Sequence, residues 1–251
     1  MAAPGRTLHR RAAGSDRALT AHGRAVRLAL AIAMAIGAGT GLGSAAERRV
    51  AVDPNAPPWN AIVKIQTNIG SRCTGVLTAP TIVLTAAHCL YNPRTQALLQ
   101  AVSLHVLLGY ERGSYRSHRL VARYEVGRGF EAGKGPQTAD WARLQLAEPI
   151  PNAPKPLPLA GAEPAPGMAA SLAGYNQDRA QLLIADLSCQ VIRVFGGPDG
   201  GRLIAHDCAA TRGTSGAPLL VRQESGWAVL GINIGAGRET NLALAISGIA
   251  R

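Results

Sequence analysis

The apolar positions of this chain recur in short aliphatic and β-branched runs separated by turn signals. That pattern predicts many short strands. In the first half, 61–67, 74–77 and 82–85 read as strands, with Ala79-Pro80-Thr81 as the turn between the last two. The stretches 102–108 and 119–124 continue the pattern. After Asp140, the residues Ala142, Leu144 and Leu146 share one face at period two. The segment 148–167 carries seven prolines and can be neither a helix nor a central strand. It reads as a connector. Strand signals resume at 169–173, 181–194, 202–206, 219–222, 227–234 and 242–246. No helical segments alternate with them, which argues against a parallel sheet. The pattern predicts two antiparallel β units, 59–147 and 168–251, joined by the proline-rich linker 148–167.

Composition agrees with this reading. The 251 residues are 47% hydrophobic, enough for a substantial core, and include 29 Gly and 16 Pro, as frequent turns require. The formal charge of +11 misleads, because residues 1–46 hold six arginines and one acid, Asp16. That leaves +6 for 47–251, scattered in a chain only 4% aromatic. A nucleic-acid binder would show a basic stripe with stacking aromatics, so nucleic acid is not expected as a partner. Within 1–46, an apolar run at 28–38 follows Arg24 and Arg27, and Ser44-Ala45-Ala46 closes the segment with small residues. This is the layout of a signal peptide cleaved after Ala46, although its charged region is long. The rival is a membrane anchor, but a span needs about 20 apolar residues, and this run is shorter and followed by glycines. The chain is therefore expected to be secreted or periplasmic, and membrane-bound only if the segment is retained. Residues 47–58 read as an extended lead-in or short propeptide, with Arg48-Arg49 as its processing mark.

Three motifs carry candidate chemistry. Ser215 lies in Arg212-Gly213-Thr214-Ser215-Gly216-Ala217-Pro218, His88 in Leu84-Thr85-Ala86-Ala87-His88-Cys89, and Asp140 in Ala139-Asp140-Trp141-Ala142-Arg143-Leu144. A serine hydroxyl is a weak nucleophile until a base takes its proton. Histidine suits that role, with an unperturbed pKa of about 6.5. A carboxylate must then fix the imidazole tautomer and stabilise the imidazolium. Gly213 can bring its backbone close to a substrate, so its N–H and that of Ser215 are the expected oxyanion donors. Each motif alone is ambiguous, since a Gly-rich serine is commonly a turn and an aspartate commonly enters a strand. The three together, in the order His, Asp, Ser, favour joint catalysis. His105, His118 and His206 are weaker bases. His105 lies in an apolar strand, His118 sits near Arg116 and Arg119, and His206 and its neighbour Asp207 point to opposite faces of a strand.

Four cysteines, Cys73, Cys89, Cys189 and Cys208, allow three connectivities. Behind a signal peptide they should meet an oxidising compartment and pair. A Cys73–Cys89 bond would hold the His88 turn, adding about 3 kcal/mol on the chain-entropy model. Cys189–Cys208 would staple the loop that leads to Ser215. No two cysteines are spaced as in a metal site, and no cofactor is called for.

At these motifs the chain resembles the chymotrypsin-fold serine peptidases, and within them the bacterial branch that includes the glutamyl endopeptidases. The resemblance rests on Thr-Ala-Ala-His-Cys at His88, Asp-Trp-Ala-Arg-Leu at Asp140 and Gly-Thr-Ser-Gly-Ala-Pro at Ser215. Val229-Leu230-Gly231-Ile232-Asn233-Ile234-Gly235 looks like the family's substrate-binding strand. The resemblance implies an all-β protein of two six-stranded antiparallel barrels with the site in the cleft between them. It implies a serine endopeptidase acting through an acyl-enzyme on protein or peptide substrates, expected as a monomer.

The chain also departs from the family. Thr214 stands where animal trypsins carry an Asp before the nucleophile, so activation through that ion pair is not expected. Ala209 stands where trypsin-like pockets carry an acid, which disfavours cleavage after Lys or Arg. Asn233 occupies the position of a histidine in glutamyl endopeptidases, and Arg212 is placed at the pocket mouth, where it would favour acidic substrates. Two alternatives have other consequences: a catalytically silent binding protein on the same fold, and a membrane-tethered protease. A lipase or esterase is disfavoured by the order of the motifs.

Overall fold

The computed structural model describes residues 48–197, 200–237 and 239–249. The segment read as a signal peptide lies outside the described residues. Fifteen strands run in the order β1 (Arg49–Ala51), β2 (Ile62–Thr67), β3 (Arg72–Ala79), β4 (Ile82–Thr85), β5 (Tyr91–Asn92), β6 (Ala97–Leu98), β7 (Leu104–Leu108), β8 (Ser117–Val126), β9 (Ala142–Leu146), β10 (Ala169–Gly174), β11 (Ile184–Gly196), β12 (Arg202–His206), β13 (Pro218–Gln223), β14 (Gly226–Gly235) and β15 (Asn241–Ala245). Helical structure among the described residues is limited to short 3-10 turns.

Strands β2, β3, β4, β9, β8 and β7 close into a six-stranded antiparallel barrel. A second barrel runs β11, β10, β13, β14, β15, β12 and closes by pairing of β11 with β12. One edge of the long β11 serves two partners. It pairs with β12 over Val191–Gly196 and with the N-terminal β1 over Ile184–Asp186. Closure leaves few free strand edges.

Period-two alternation fixes what each strand buries. In β9, Ala142, Leu144 and Leu146 are buried while Arg143 and Gln145 are not. In β13, Leu219 and Val221 face the second barrel's own core. Leu220 faces the other way, joining Val229, Ile232 and Ile234 in a cluster shared with Val63, Ile65 and Leu144 of the first barrel. The two barrels therefore share a continuous apolar contact, and each fully buried Leu or Ile in it contributes about 1.5–3 kcal/mol. The proline-rich segment between β9 and β10 is stitched to both barrels. The Leu157 N–H donates to Leu77 O (3.0 Å), and the Ala160 N–H to Val229 O (2.8 Å).

Charged side chains fasten β1. The Arg48 guanidinium lies 3.4 Å from Asp186 Oδ2 and 3.5 Å from Asp207 Oδ2, and it also donates to the Asp207 carbonyl. Asp186 has no exposed side-chain surface, and Arg48 retains 25% of its own. The same carboxylate accepts the Ala209 N–H (2.7 Å) and the Ser188 N–H (3.1 Å). Arg49 pairs with Asp178 (2.8 Å) and donates to Asn176 Oδ1 (3.2 Å). Part of the lead-in, Arg49–Ala51, is thus a strand of the second sheet, held by three ion pairs. Sequence patterning missed it because three residues give no periodicity.

Buried at the end of β12 is His206. Its Nε2 faces Asn233 Oδ1 at 3.1 Å, and its Nδ1 has no partner among the described residues. Burial, opposed only in part by Asn233, Asp207 and Asp186, pushes its pKa down to about 4.

Two outcomes follow. Arg48→Met leaves Asp186 buried without its cation and lowers stability by about 2 kcal/mol in urea titration. An unchanged midpoint would show that the pair does not anchor β1. His206 is neutral when folded, but the unfolded chain takes up a proton below about pH 6.5. Stability therefore falls as pH drops from about 6.5 towards 4, by roughly 3 kcal/mol in all from this group. His206→Gln flattens that window in thermal melts, and an identical pH slope in the variant contradicts the assignment.

Candidate active site

His88 and Asp140 come from the first barrel. Strand β4 ends at Thr85, and a 3-10 turn, Ala87–Leu90, carries His88. Ala86 and Ala87 are fully buried, small enough for the turn to sit directly on the barrel rim. The adjacent Cys89 is bonded to Cys73 on β3. A second 3-10 turn, Gln137–Ala139, delivers Asp140. Its carboxylate grips the histidine at two points: Oδ1 accepts the His88 backbone N–H (2.9 Å), and Oδ2 meets Nδ1 at 2.7 Å. Such a contact orients the ring and favours the tautomer with its proton on Nδ1. The imidazole is a third exposed, and Asp140 lies behind it.

Ser215 comes from the second barrel, in the turn that precedes β13. Gly213 and Gly216 both take positive φ (+92° and +76°). At Gly216 an added Cβ would stand 2.0 Å from Thr85 Oγ1 and 2.2 Å from the Thr74 carbonyl oxygen. The Ser215 turn therefore packs backbone-to-backbone against the first barrel, and only glycine fits. Within the turn, the Thr214 N–H donates to Thr211 O (3.2 Å) and the Gly216 N–H to Asn233 O (2.7 Å). Among the described residues, the N–H groups of Gly213 and Ser215 have no partner. The two donors expected to meet an oxyanion are the two that the turn leaves free.

One side chain ties this turn to the first barrel. Thr74 is fully buried on β3. Its hydroxyl donates to Gly213 O (2.9 Å) and accepts the Tyr175 N–H (2.9 Å), while its own N–H donates to Ser215 O (2.9 Å). No sequence signal singled it out, beyond its place next to Cys73.

His88, Ser215 and Gly213 line one cleft of about 410 Å³, with Arg212 and the Cys73–Cys89 disulfide. The other predicted residues lie as follows. Cys189 and Cys208 are bonded to each other, just before the loop that leads to Ser215. Ala209 is buried, its N–H held by Asp186. Arg212 is exposed at the cleft rim. Asn233 lies on β14. It is buried, and its amide is already committed, with Nδ2 donating to Thr214 O (3.3 Å) and Oγ1 (3.2 Å) and Oδ1 facing His206. It braces the Ser215 turn, because β14 directs the side chain at position 233 inwards.

His105 and His118 stack on each other, with Nδ1 and Nε2 2.9 Å apart. Neither lines the cleft. Cys73, His88 and Cys89 bring potential ligand atoms within 4.8 Å of one another, but the disulfide consumes both thiols.

Comparison with known proteins agrees with this fold. The family model for trypsin matches residues 48–248. More than a thousand chains of solved structures match the fold. One, a Glu endopeptidase in complex with MPD, superposes with a TM-score of 0.66 at 21% identity, covering 80% of this chain and 94% of its own. No curated protein matches significantly at the sequence level. With two closed barrels and a family match over most of its length, the chain belongs to the trypsin family of serine endopeptidases.

Proposed function

We propose that this chain is a secreted serine endopeptidase in which His88, Asp140 and Ser215 form the catalytic triad. The observation that carries the reading is the two-point hold of Asp140 on His88, in a cleft that also presents Ser215 and two unpartnered N–H groups. His88 Nε2 takes the Ser215 Oγ proton as the oxygen attacks the scissile carbonyl. The carbonyl π pair moves to oxygen, which is received by the Gly213 and Ser215 N–H groups. Collapse breaks the C–N bond, and imidazolium gives its proton to the leaving amine. Water then repeats the sequence on the acyl-enzyme, regenerating Ser215 and releasing the acid. Asp140 keeps the ring oriented and balances its transient charge.

The specificity pocket is proposed to disfavour Lys and Arg. Ala209 places no carboxylate at its base, and the nearby Asp186 is already occupied by Arg48 and backbone donors. The solved neighbour named as a Glu endopeptidase suggests acidic substrates. In this chain Asn233 supplies no cation, so attraction for acids would have to come from the cleft itself. Residues 1–46 are proposed to be removed as a signal peptide. The ion pairs of Arg48 and Arg49 favour their retention, making 47–58 a lead-in to the first barrel instead of a discarded propeptide.

A fluorophosphonate probe is expected to label the purified protein, with labelling lost in Ser215→Ala. Asp140→Asn keeps the shape but reverses the tautomer preference, and should lower kcat by about 10⁴-fold. Labelling that persists in Ser215→Ala, or a wild-type protein that the probe never labels, would overturn the reading.

A further inference from the structure

We propose that the cleft beside Ser215 is a carboxylate-binding subsite on the leaving-group side, in which Lys64, Arg72 and Arg212 select substrates bearing an acidic group just after the scissile bond. This rests on the proposed attack by Ser215. It adds to that reading a substrate class and the residues that recognise it.

The side of the cleft follows from its lining. On the specificity pocket proposed above, the acyl half of a substrate reaches towards Ala209, which does not line this cleft. The leaving amine must lie where His88 can protonate it. The cleft is lined by His88, by the Cys73–Cys89 disulfide, and by Arg72, Lys64 and Arg212. It holds about 410 Å³, and three cations but no carboxylate line it.

Lys64 is the unusual member. It is 1% exposed, yet it contributes to the cleft wall. Period two sends its neighbours Val63 and Ile65 into the first barrel's core, so Lys64 points the other way, on the same face as its cross-strand partner Thr74. Its ammonium sits 3.6 Å above the Tyr110 ring and 5.5 Å from that of Tyr175. It donates to Ala180 O at 2.7 Å. Among the described residues it has no carboxylate partner. An ammonium carries three donors and is costly to bury without an anion. Burial, with Arg72 nearby, lowers its pKa to about 8, as expected of a cation that lacks its counter-charge. The side chains of Arg72 and Arg212 are exposed and likewise without a partner among the described residues. All three cations line the same cleft as His88. An incoming carboxylate would satisfy Lys64 and be attracted by the other two.

That carboxylate has two possible sources: an Asp or Glu side chain one or two residues beyond the cut, or the chain terminus when the leaving group is very short. Internally quenched peptides that differ only by Glu or Gln at those positions measure the first. Peptides ending there in a free or amidated carboxyl measure the second. We expect kcat/KM to favour the anionic member of at least one pair by about tenfold, and the pair that responds names the source. Arg72→Gln and Lys64→Met should each cut that ratio towards one, while Arg123→Gln, an exposed arginine outside the cleft, should leave it unchanged. Arg72 is exposed, so its variant tests the idea even if Lys64→Met folds poorly. Equal rates within both pairs for a wild-type enzyme that cuts them and labels with fluorophosphonate would overturn this inference alone. So would a ratio that survives Arg72→Gln undiminished. A wild-type protein that neither cuts nor labels would overturn the triad reading together with it.

Discussion

The site depends on a single dipeptide, Cys73-Thr74 on strand β3. The proposed base and nucleophile belong to different barrels, so their mutual position is set by whatever joins the barrels at that point. Successive residues of a strand face opposite ways. Cys73 faces the first barrel's core and is bonded to the residue after His88. Thr74 faces the second barrel and bonds to Gly213, Ser215 and Tyr175. Gly216 completes the junction by packing against Thr74 and Thr85 at a distance that no side chain would allow. The strand therefore holds the imidazole turn with one residue and the serine turn with the next.

Much of this was legible in the sequence. Period-two burial placed the strands of both barrels closely, because a closed barrel buries one face of every strand and so writes its pattern plainly. At 102–108 the strand begins only at Leu104, because residues 101–103 form a 3-10 turn. The residues proposed for the triad could be found because their chemistry demands rare neighbours: glycines around the serine, small residues before the histidine. What stayed hidden works through tertiary pairing. Thr74, Lys64 and the Arg48–Asp186 pair are ordinary residue types in ordinary strands, and each matters through a partner over a hundred positions away. Asn233 was visible as a position on the substrate strand, but its orientation was not, because the hydrogen bonds that consume its amide come from Thr214 and His206.

Charge is distributed with a similar economy. The second barrel's buried carboxylate, Asp186, is neutralised by Arg48 and at the same time holds Ala209 at the start of the loop that leads to Ser215. Among the described residues, the carboxylates close to this loop are paired with arginines, whereas the cations lining the cleft have no carboxylate partner. The charged side chains that line the cleft, Lys64, Arg72 and Arg212, are all cationic.

The central claim is that Thr74 sets the geometry between the barrels. Thr74→Val keeps the shape and β preference of the side chain but leaves Gly213 O and Tyr175 N–H buried without partners. The most direct test is the rate of fluorophosphonate labelling together with kcat and KM for this variant, with Thr74→Ser as the hydroxyl-retaining control. The account predicts that Thr74→Val lowers kcat and the labelling rate by about tenfold to a hundredfold, with little change in KM and cooperative unfolding intact, while Thr74→Ser stays near wild type. A Thr74→Val enzyme that labels and turns over at the wild-type rate would contradict it.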